Sequence, residues 1–186
     1  DLLDGLANAP DNAPTDKTRF SKSVAKALLA KIYAEKPIQD YAKVIQYADA
    51  LAQDGFDLNP SYADVYQLTA DNKDVLQRNT RESILEAQYF PGAGNWASWM
   101  FGRDLSNYDV NFTWAKWVTP SRDLIQAYQN EGDNIRMNQS IVYYTTTWSN
   151  YYPSSNYPFM FKLRSGMSSI IKIRYADILL LKAEAL

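Results

Sequence analysis

The sequence predicts a mainly α fold, with helices at both ends of the chain and long aromatic loops and a few short strands between them. Two stretches near the N-terminus repeat apolar residues at helical spacing. The last stretch passes from β-branched residues into an Ala, Leu, Lys and Glu run, a change from strand-forming to helix-forming composition. Between them lies a segment that holds all 5 tryptophans and little helical order.

Residues 1–16 begin with Leu2, Leu3 and Leu6 and then turn through Pro10 and Pro14, which reads as a helix tail and a linker. Over residues 18–35, Phe20, Val24, Ala27, Leu28 and Ile32 recur on one helical face while Lys22, Lys26 and Lys31 point elsewhere. Pro37 ends that helix. Asp40 is placed to cap a second one, whose apolar positions are Tyr41, Val44, Ile45, Ala48, Leu51 and Ala52 and whose stop is Gly55. Ala27, Ala30 and Ala48 allow close approach, so the pair predicts an antiparallel helical hairpin of tetratricopeptide type, although the repeat consensus itself is absent. One hairpin cannot bury both its faces, so further hairpins are expected to stack on it.

Downstream, the pattern predicts a short helix over 62–68, a polar loop at 71–74 and a strand over 83–90 closed by Pro91-Gly92. Helical order then lapses from 91 to 118. Thr119 as cap with Pro120 in the first turn predicts a helix over 121–130 that turns Leu124, Ile125 and Tyr128 inward. A turn at 131–134, a strand over 140–148, a loop over 149–158 and a turn at Arg164-Ser165-Gly166 complete this region. Ile170, Ile171 and Ile173 predict a strand feeding a helix from Arg174. That helix carries Tyr175, Ile178 and Leu179 on one side and Ala176, Leu180, Ala183 and Leu186 on another, and so calls for neighbours on more than one side. No capping Gly or Asn closes it, and a longer chain is expected.

Composition narrows the function. The 186 residues are 46% hydrophobic and 22% charged, enough for one sizeable core and a single domain over 1–186. A net charge of −2 gives no footprint for nucleic acid. The absence of Cys and His removes thiol nucleophiles, Ser–His–Asp hydrolysis and nearly every zinc, copper or haem site, so no cofactor or metal is expected. No run is long and apolar enough to cross a bilayer as a helix. The surplus is aromatic: 14 Tyr and 5 Trp against 7 Phe, side chains with a polar edge that suit half-wet contact surfaces.

Those aromatics sit in the loops and suggest a sugar- or peptide-facing platform, since a ring face packs on the C–H face of a pyranose while neighbouring amide, carboxylate and guanidinium groups bond its hydroxyls. Asn95, Trp96, Trp99, Trp148, Tyr151 and Tyr152 are the candidate ligand-binding residues, with Arg103, Asp104 and Asn150 nearby in sequence. The alternative is that the rings wedge the loops onto the core, which is how Trp114 and Trp117 read. A glycosidase would need two facing carboxyls, for which Glu82 with Glu86 or Asp104 with Asp109 are the candidates. Nothing in the sequence places either pair across a cleft, and surface charge is the simpler account. Residues 54–59 lack calcium-loop spacing, Gly92-Ala93-Gly94 is too short for a phosphate cradle, and Arg174 with Asp177 reads as a local i, i+3 ion pair.

The run Arg174-Tyr175-Ala176-Asp177, leading through an apolar stretch to Ala183-Glu184-Ala185-Leu186, resembles the signature helix of the SusD/RagB family, surface glycan-binding lipoproteins of Bacteroidetes. Residues 18–33, 41–51 and 82–86 resemble earlier family segments in the same order. Where the family has an acidic pair and an arginine after the 121–130 helix, this chain has Gly132-Asp133-Asn134-Ile135-Arg136, and Asp133 and Arg136 are expected to keep that structural role. The resemblance implies a SusD-like fold and a non-catalytic protein at the extracellular face of the outer membrane, held by a lipid anchor absent from this chain. Such a protein sits on a SusC-like TonB-dependent transporter and passes it captured oligosaccharide or polysaccharide. The alternative is a peptide-binding or purely protein-contact helical scaffold on the same transporter.

Overall fold

The computed structural model describes residues 1–71, 74–90, 94–98, 118–149 and 151–186, and the backbone alone of 99–100. The chain divides into two compact units. Unit 1 comprises Asp1–Asn59, Asn79–Ala87 and Ile170–Leu186, and unit 2 comprises Pro60–Arg78 and Gln88–Ser169.

Unit 1 is the helical hairpin with its closing strand and helix. α1 (Leu2–Asn8) precedes α2 (Lys22–Ala34) and α3 (Tyr41–Gln53). α2 begins at Lys22, later than its periodicity suggests, because the Ser21 side chain accepts from the Val24 amide and the Asp16 carboxylate accepts from the amide and hydroxyl of Thr18. Phe20 therefore lies outside the helix, where its ring edge is so near Gly5 of α1 that a Cβ there would stand 3.1 Å from it. α3 starts where expected, with Asp40 accepting from the Lys43 amide at 3.1 Å. Ala27, Ala30 and Ala48 are fully buried between the two helices, and Tyr33 and Tyr47 stack with ring centroids 5.9 Å apart.

The C-terminal stretch completes this core. β1 (Ser83–Ala87) and β4 (Ile170–Arg174) pair antiparallel, and α7 (Tyr175–Ala185) continues directly from β4. Ile84, Ile173, Tyr175 and Ile178 join Val24, Leu29, Leu51 and Phe56 in one apolar cluster. The local Arg174–Asp177 pair expected from sequence does not form. Arg174 reaches across the ladder to Glu82 at 2.9 Å, and Asp177 accepts from Lys31 of α2 at 2.5 Å. The partner across the strand pair is fixed by register, which i, i+3 spacing cannot show. Leu180, on the second apolar side of α7, is 71% exposed.

Lys17 is buried and fastens the linker to this core. Its amide donates to Asn79 Oδ1 and its ammonium to the Thr80 carbonyl, both at 2.9 Å, while Nζ lies 4.5 Å from the centre of the Phe56 ring. Burial pushes its pKa down to about 8, against the opposing charge of Glu86.

Unit 2 contains a 3-10 turn at Tyr62–Val65, α4 (Ala97–Met100), α5 (Arg122–Glu131), α6 (Asn134–Ser140), β2 (Ile141–Tyr144), a second 3-10 turn at Ser154–Asn156 and β3 (Tyr157–Met160). β2 and β3 pair antiparallel, Ile141 opposite Met160 and Tyr144 opposite Tyr157. Thr119 is not the cap of α5; the Ser121 hydroxyl accepts from the Leu124 amide at 3.0 Å. Nor does α5 turn Leu124 inward, since that side chain is exposed and no residue of the helix is buried. Gly132 ends α5 in the left-handed region at φ 64°, and Asp133 then caps α6 through the Arg136 amide and pairs with the Arg136 guanidinium. This short polar helix lies just before β2, and its last residue, Ser140, opens the stretch that reads in sequence as a strand.

Candidate functional site

β2 and β3 carry the aromatic density of unit 2. Tyr157 and Phe159 are fully buried, with Val142, Tyr144, Trp148 and Tyr152 packed around them. Alternation along β2 sends Val142 and Tyr144 to that cluster and leaves Tyr143 exposed. Trp148 meets Tyr157 edge to face at 4.7 Å between ring centres, and Tyr152 meets Tyr157 at 5.8 Å. Such T-shaped contacts satisfy the ring quadrupoles and fix the side chains in place.

The connection after β2 is shaped by hydroxyl groups. Buried Thr146 donates from Oγ1 to the Trp148 carbonyl at 2.6 Å and from its amide to the Ser154 carbonyl at 2.8 Å, and Ser149 Oγ donates to the Tyr152 carbonyl at 2.5 Å. This turns Tyr151 outward, 50% exposed, beside Tyr152, whose ring centre is 4.9 Å away and nearly perpendicular.

Arg122, the first residue of α5, locks the pair. Its Nη2 donates to the Tyr151 carbonyl at 2.7 Å, and its guanidinium carbon lies 4.2 Å from the centre of the Tyr151 ring and 5.5 Å from that of Tyr152. Tyr152 Oη donates to the Pro120 carbonyl at 2.7 Å. Burial holds the Tyr152 phenol above its ordinary range, with the Tyr151 phenol adding to this and the Arg122 charge opposing it. The result is a rigid surface of one outward tyrosine, a second tyrosine at right angles to it, and a guanidinium between ring faces. It offers apolar C–H contact and hydrogen-bond donors together, as a sugar ring requires.

The sequence-predicted residues thus divide. Trp148, Tyr151 and Tyr152 come together on this connection. Asn95 is a correction: it is 2% exposed and turned inward, its Nδ2 donating to the Ser168 carbonyl at 3.0 Å and its Oδ1 accepting from the Ala97 amide at 2.9 Å. A side-chain amide spent on two backbone partners has little left for a ligand. Its neighbour Trp96 faces outward, 69% exposed, just before α4. The Trp99 side chain and Arg103, Asp104, Asp109, Trp114, Trp117 and Asn150 lie outside the described residues. Sequence reasoning missed Arg122. Its signal was a cation in the first turn of a helix, where the dipole disfavours it, so the residue needs another purpose.

The hydrolase alternative loses one carboxylate pair. Glu82 accepts from Arg174 and from the Asn59 amide, while Glu86 accepts from the Ser83 hydroxyl and the Asn79 amide, so both are buried members of the unit 1 frame. Unit 1 also has a cavity of about 210 Å³ lined by Asp11, Asn12, Pro14, Lys22, Ser23, Lys26 and Asp54, in which Lys22 pairs with Asp11 and Lys26 with Asp54.

Neither a protein-family model nor a curated protein matches the sequence. Solved structures do match. A SusD superfamily protein from Parabacteroides distasonis aligns over 99% of this chain and 43% of its own, with a TM-score of 0.68 at 20% identity. The fold is SusD-like. A laminarin-binding SusD-like protein matches with a TM-score of 0.68 at 20% identity, over 99% of this chain and 48% of its own. Surface glycan-binding protein A from Bacteroides thetaiotaomicron, in complex with laminarihexaose, matches at 0.64 and 17% identity, over 95% and 45%. This chain therefore spans less than half the length of the SusD-like structures it matches.

Proposed function

We propose that this SusD-like chain belongs to a non-catalytic cell-surface protein that captures oligosaccharides at the extracellular face of the outer membrane and delivers them to a TonB-dependent transporter. The observation that carries the reading is the platform of Tyr151 and Tyr152 clamped by Arg122. Tyr151 offers its outer ring face to a pyranose, Arg122 and the tyrosine hydroxyls bond sugar hydroxyls, and Trp148 stands behind as support. Trp96 supplies a second aromatic contact on a separate turn. Two structural neighbours, one laminarin-binding and one in complex with laminarihexaose, support glycan as the ligand class and make a β-glucan oligosaccharide the first probe.

The test is tryptophan fluorescence of the whole protein during titration with laminarihexaose and a panel of plant, host and microbial oligosaccharides. Saturable quenching or a blue shift, weakened in Tyr151→Ala and in Trp96→Ala, is the expected result. A folded protein that responds to none of them, but binds peptides or the transporter alone, overturns the glycan reading.

A further inference from the structure

Unit 2 holds a second aromatic cluster, set apart because its cations have no carboxylate partners among the described residues; against the burial that raises the Tyr62 pKa, Lys162 bonds the Tyr62 phenol and lowers it. Tyr62 and Tyr66, on and just after the first 3-10 turn, stand edge to face with ring centres 5.5 Å apart. Lys162 Nζ lies 5.7 Å from the centre of the Tyr62 ring and 5.6 Å from that of Tyr66. The Arg164 guanidinium lies 5.7 Å from the Tyr66 centre and 3.9 Å from that of Phe161.

Arg164 is 6% exposed, yet its hydrogen bonds go to neutral acceptors: the Phe161 carbonyl at 2.9 Å, the Gln139 carbonyl at 3.2 Å and the Gln139 side-chain oxygen. Among the described residues no carboxylate pairs with Arg164 or Lys162. Arg136, on the adjoining α6, is already paired with Asp133, and Asp64 on the tyrosine turn forms no ion pair with a described residue. A buried cation without a counter-charge is costly, and clustered charges of one sign raise the local concentration of the opposite ion. Burial lowers the Arg164 pKa only to about 10, so the charge persists at neutral pH.

We propose that Lys162 and Arg164, with the faces of Tyr62 and Tyr66, form a subsite for the carboxylate or sulfate of an acidic saccharide. Lys162, half-buried, makes the direct ion pair, and buried Arg164 adds a charge that no described carboxylate neutralises. The tyrosine rings contact the sugar that carries the anion. This inference rests on the glycan reading above only for the saccharide, not for the anion.

The experiment is calorimetric titration of the whole protein with tri-galacturonate, a sulfated disaccharide, free sulfate and laminarihexaose, on wild type, Lys162→Gln and Lys162→Arg. One acidic saccharide is expected to bind more tightly than laminarihexaose, and which of the two does so distinguishes carboxylate from sulfate. That affinity should fall about tenfold in Lys162→Gln, fall again as salt rises from about 50 to about 500 mM, and survive in Lys162→Arg, while laminarihexaose affinity stays unchanged. If Lys162→Gln binds the acidic saccharides as wild type does, or if wild type prefers the neutral glycan, the subsite is refuted. Free sulfate binding as tightly as the sulfated sugar refutes the saccharide assignment. Tight acidic binding with no response to laminarihexaose sustains the subsite and counts against the neutral platform at Tyr151.

Discussion

At the scale of single residues, unit 1 rests on a lysine that the fold holds partly against its charge. Lys17 is bound to the Thr80 carbonyl and the Phe56 ring with its pKa lowered to about 8, whereas the unfolded chain keeps the ordinary value of 10.5. Between those two values the unfolded state binds the more protons, so stability gains from this group as pH rises through the window, by up to about 1.4 kcal/mol per pH unit. Denaturation of wild type and Lys17→Met from pH 7 to 10.5 should show wild type gaining on the variant above pH 8; parallel profiles would contradict the assignment. Asn95 makes a second case. Removing its amide leaves the buried Ser168 carbonyl without that donor, so Asn95→Ala should cost about 1–3 kcal/mol in chemical denaturation, with laminarihexaose affinity kept. Sequence could not separate Asn95 from Trp96, because an amide beside an aromatic is equally at home facing a sugar or a carbonyl. The 3.4 Å approach between a Cβ on Gly94 and the Gly166 carbonyl, with the Asn95 backbone amide donating to that carbonyl, shows how closely this turn packs.

At the scale of elements, the legible ones carry two signals at once. α3 has both an Asp40 cap and a regular apolar face, and β4 leading into α7 has a change of propensity at Arg174, so their limits are close to those read from sequence. α6 has neither: its residues are mostly polar, only Ser140 is buried, and the helix exists because Gly132 reverses the chain and Asp133 caps the next turn. Gly132→Ala puts a Cβ on a backbone at φ 64° with nothing within 4 Å, so the penalty is purely conformational. It should be about 1 kcal/mol in thermal or urea denaturation. A neutral outcome would mean that the turn is not held in the left-handed region. α5 misled for a related reason. Leu124, Ile125 and Tyr128 have helical spacing, but only Ile125 and Tyr128 are half-buried, Tyr128 bonding Ser140 of α6, while Leu124 is exposed, so periodicity alone overstated the burial of that face.

For the whole molecule, the chain leaves unit 1 after Asn59, returns for β1, leaves again and returns for β4 and α7. The frame of unit 1 was legible because its ends are periodic and its closing stretch is distinctive; α7 packs its Tyr175 and Ile178 side on α2 and α3, while the second apolar side expected to be covered leaves Leu180 and Leu186 exposed. Trp148, Tyr151 and Tyr152 were legible as aromatic loop residues, but their orientation was not. Which of the rings face solvent depends on hydroxyl-to-backbone bonds from Thr146 and Ser149 and on Arg122, contacts that leave no periodic trace. Unit 1 is mainly helical, and unit 2 carries the exposed aromatics Trp96 and Tyr151. The most direct test is calorimetric titration of the whole protein with laminarihexaose, comparing wild type with Tyr151→Ala and Arg122→Ala. The account predicts measurable binding that weakens at least about tenfold, or about 1.4 kcal/mol, in each variant while thermal stability changes little. Binding of equal strength in all three proteins would show that the glycan is held elsewhere and would contradict the assignment of this platform.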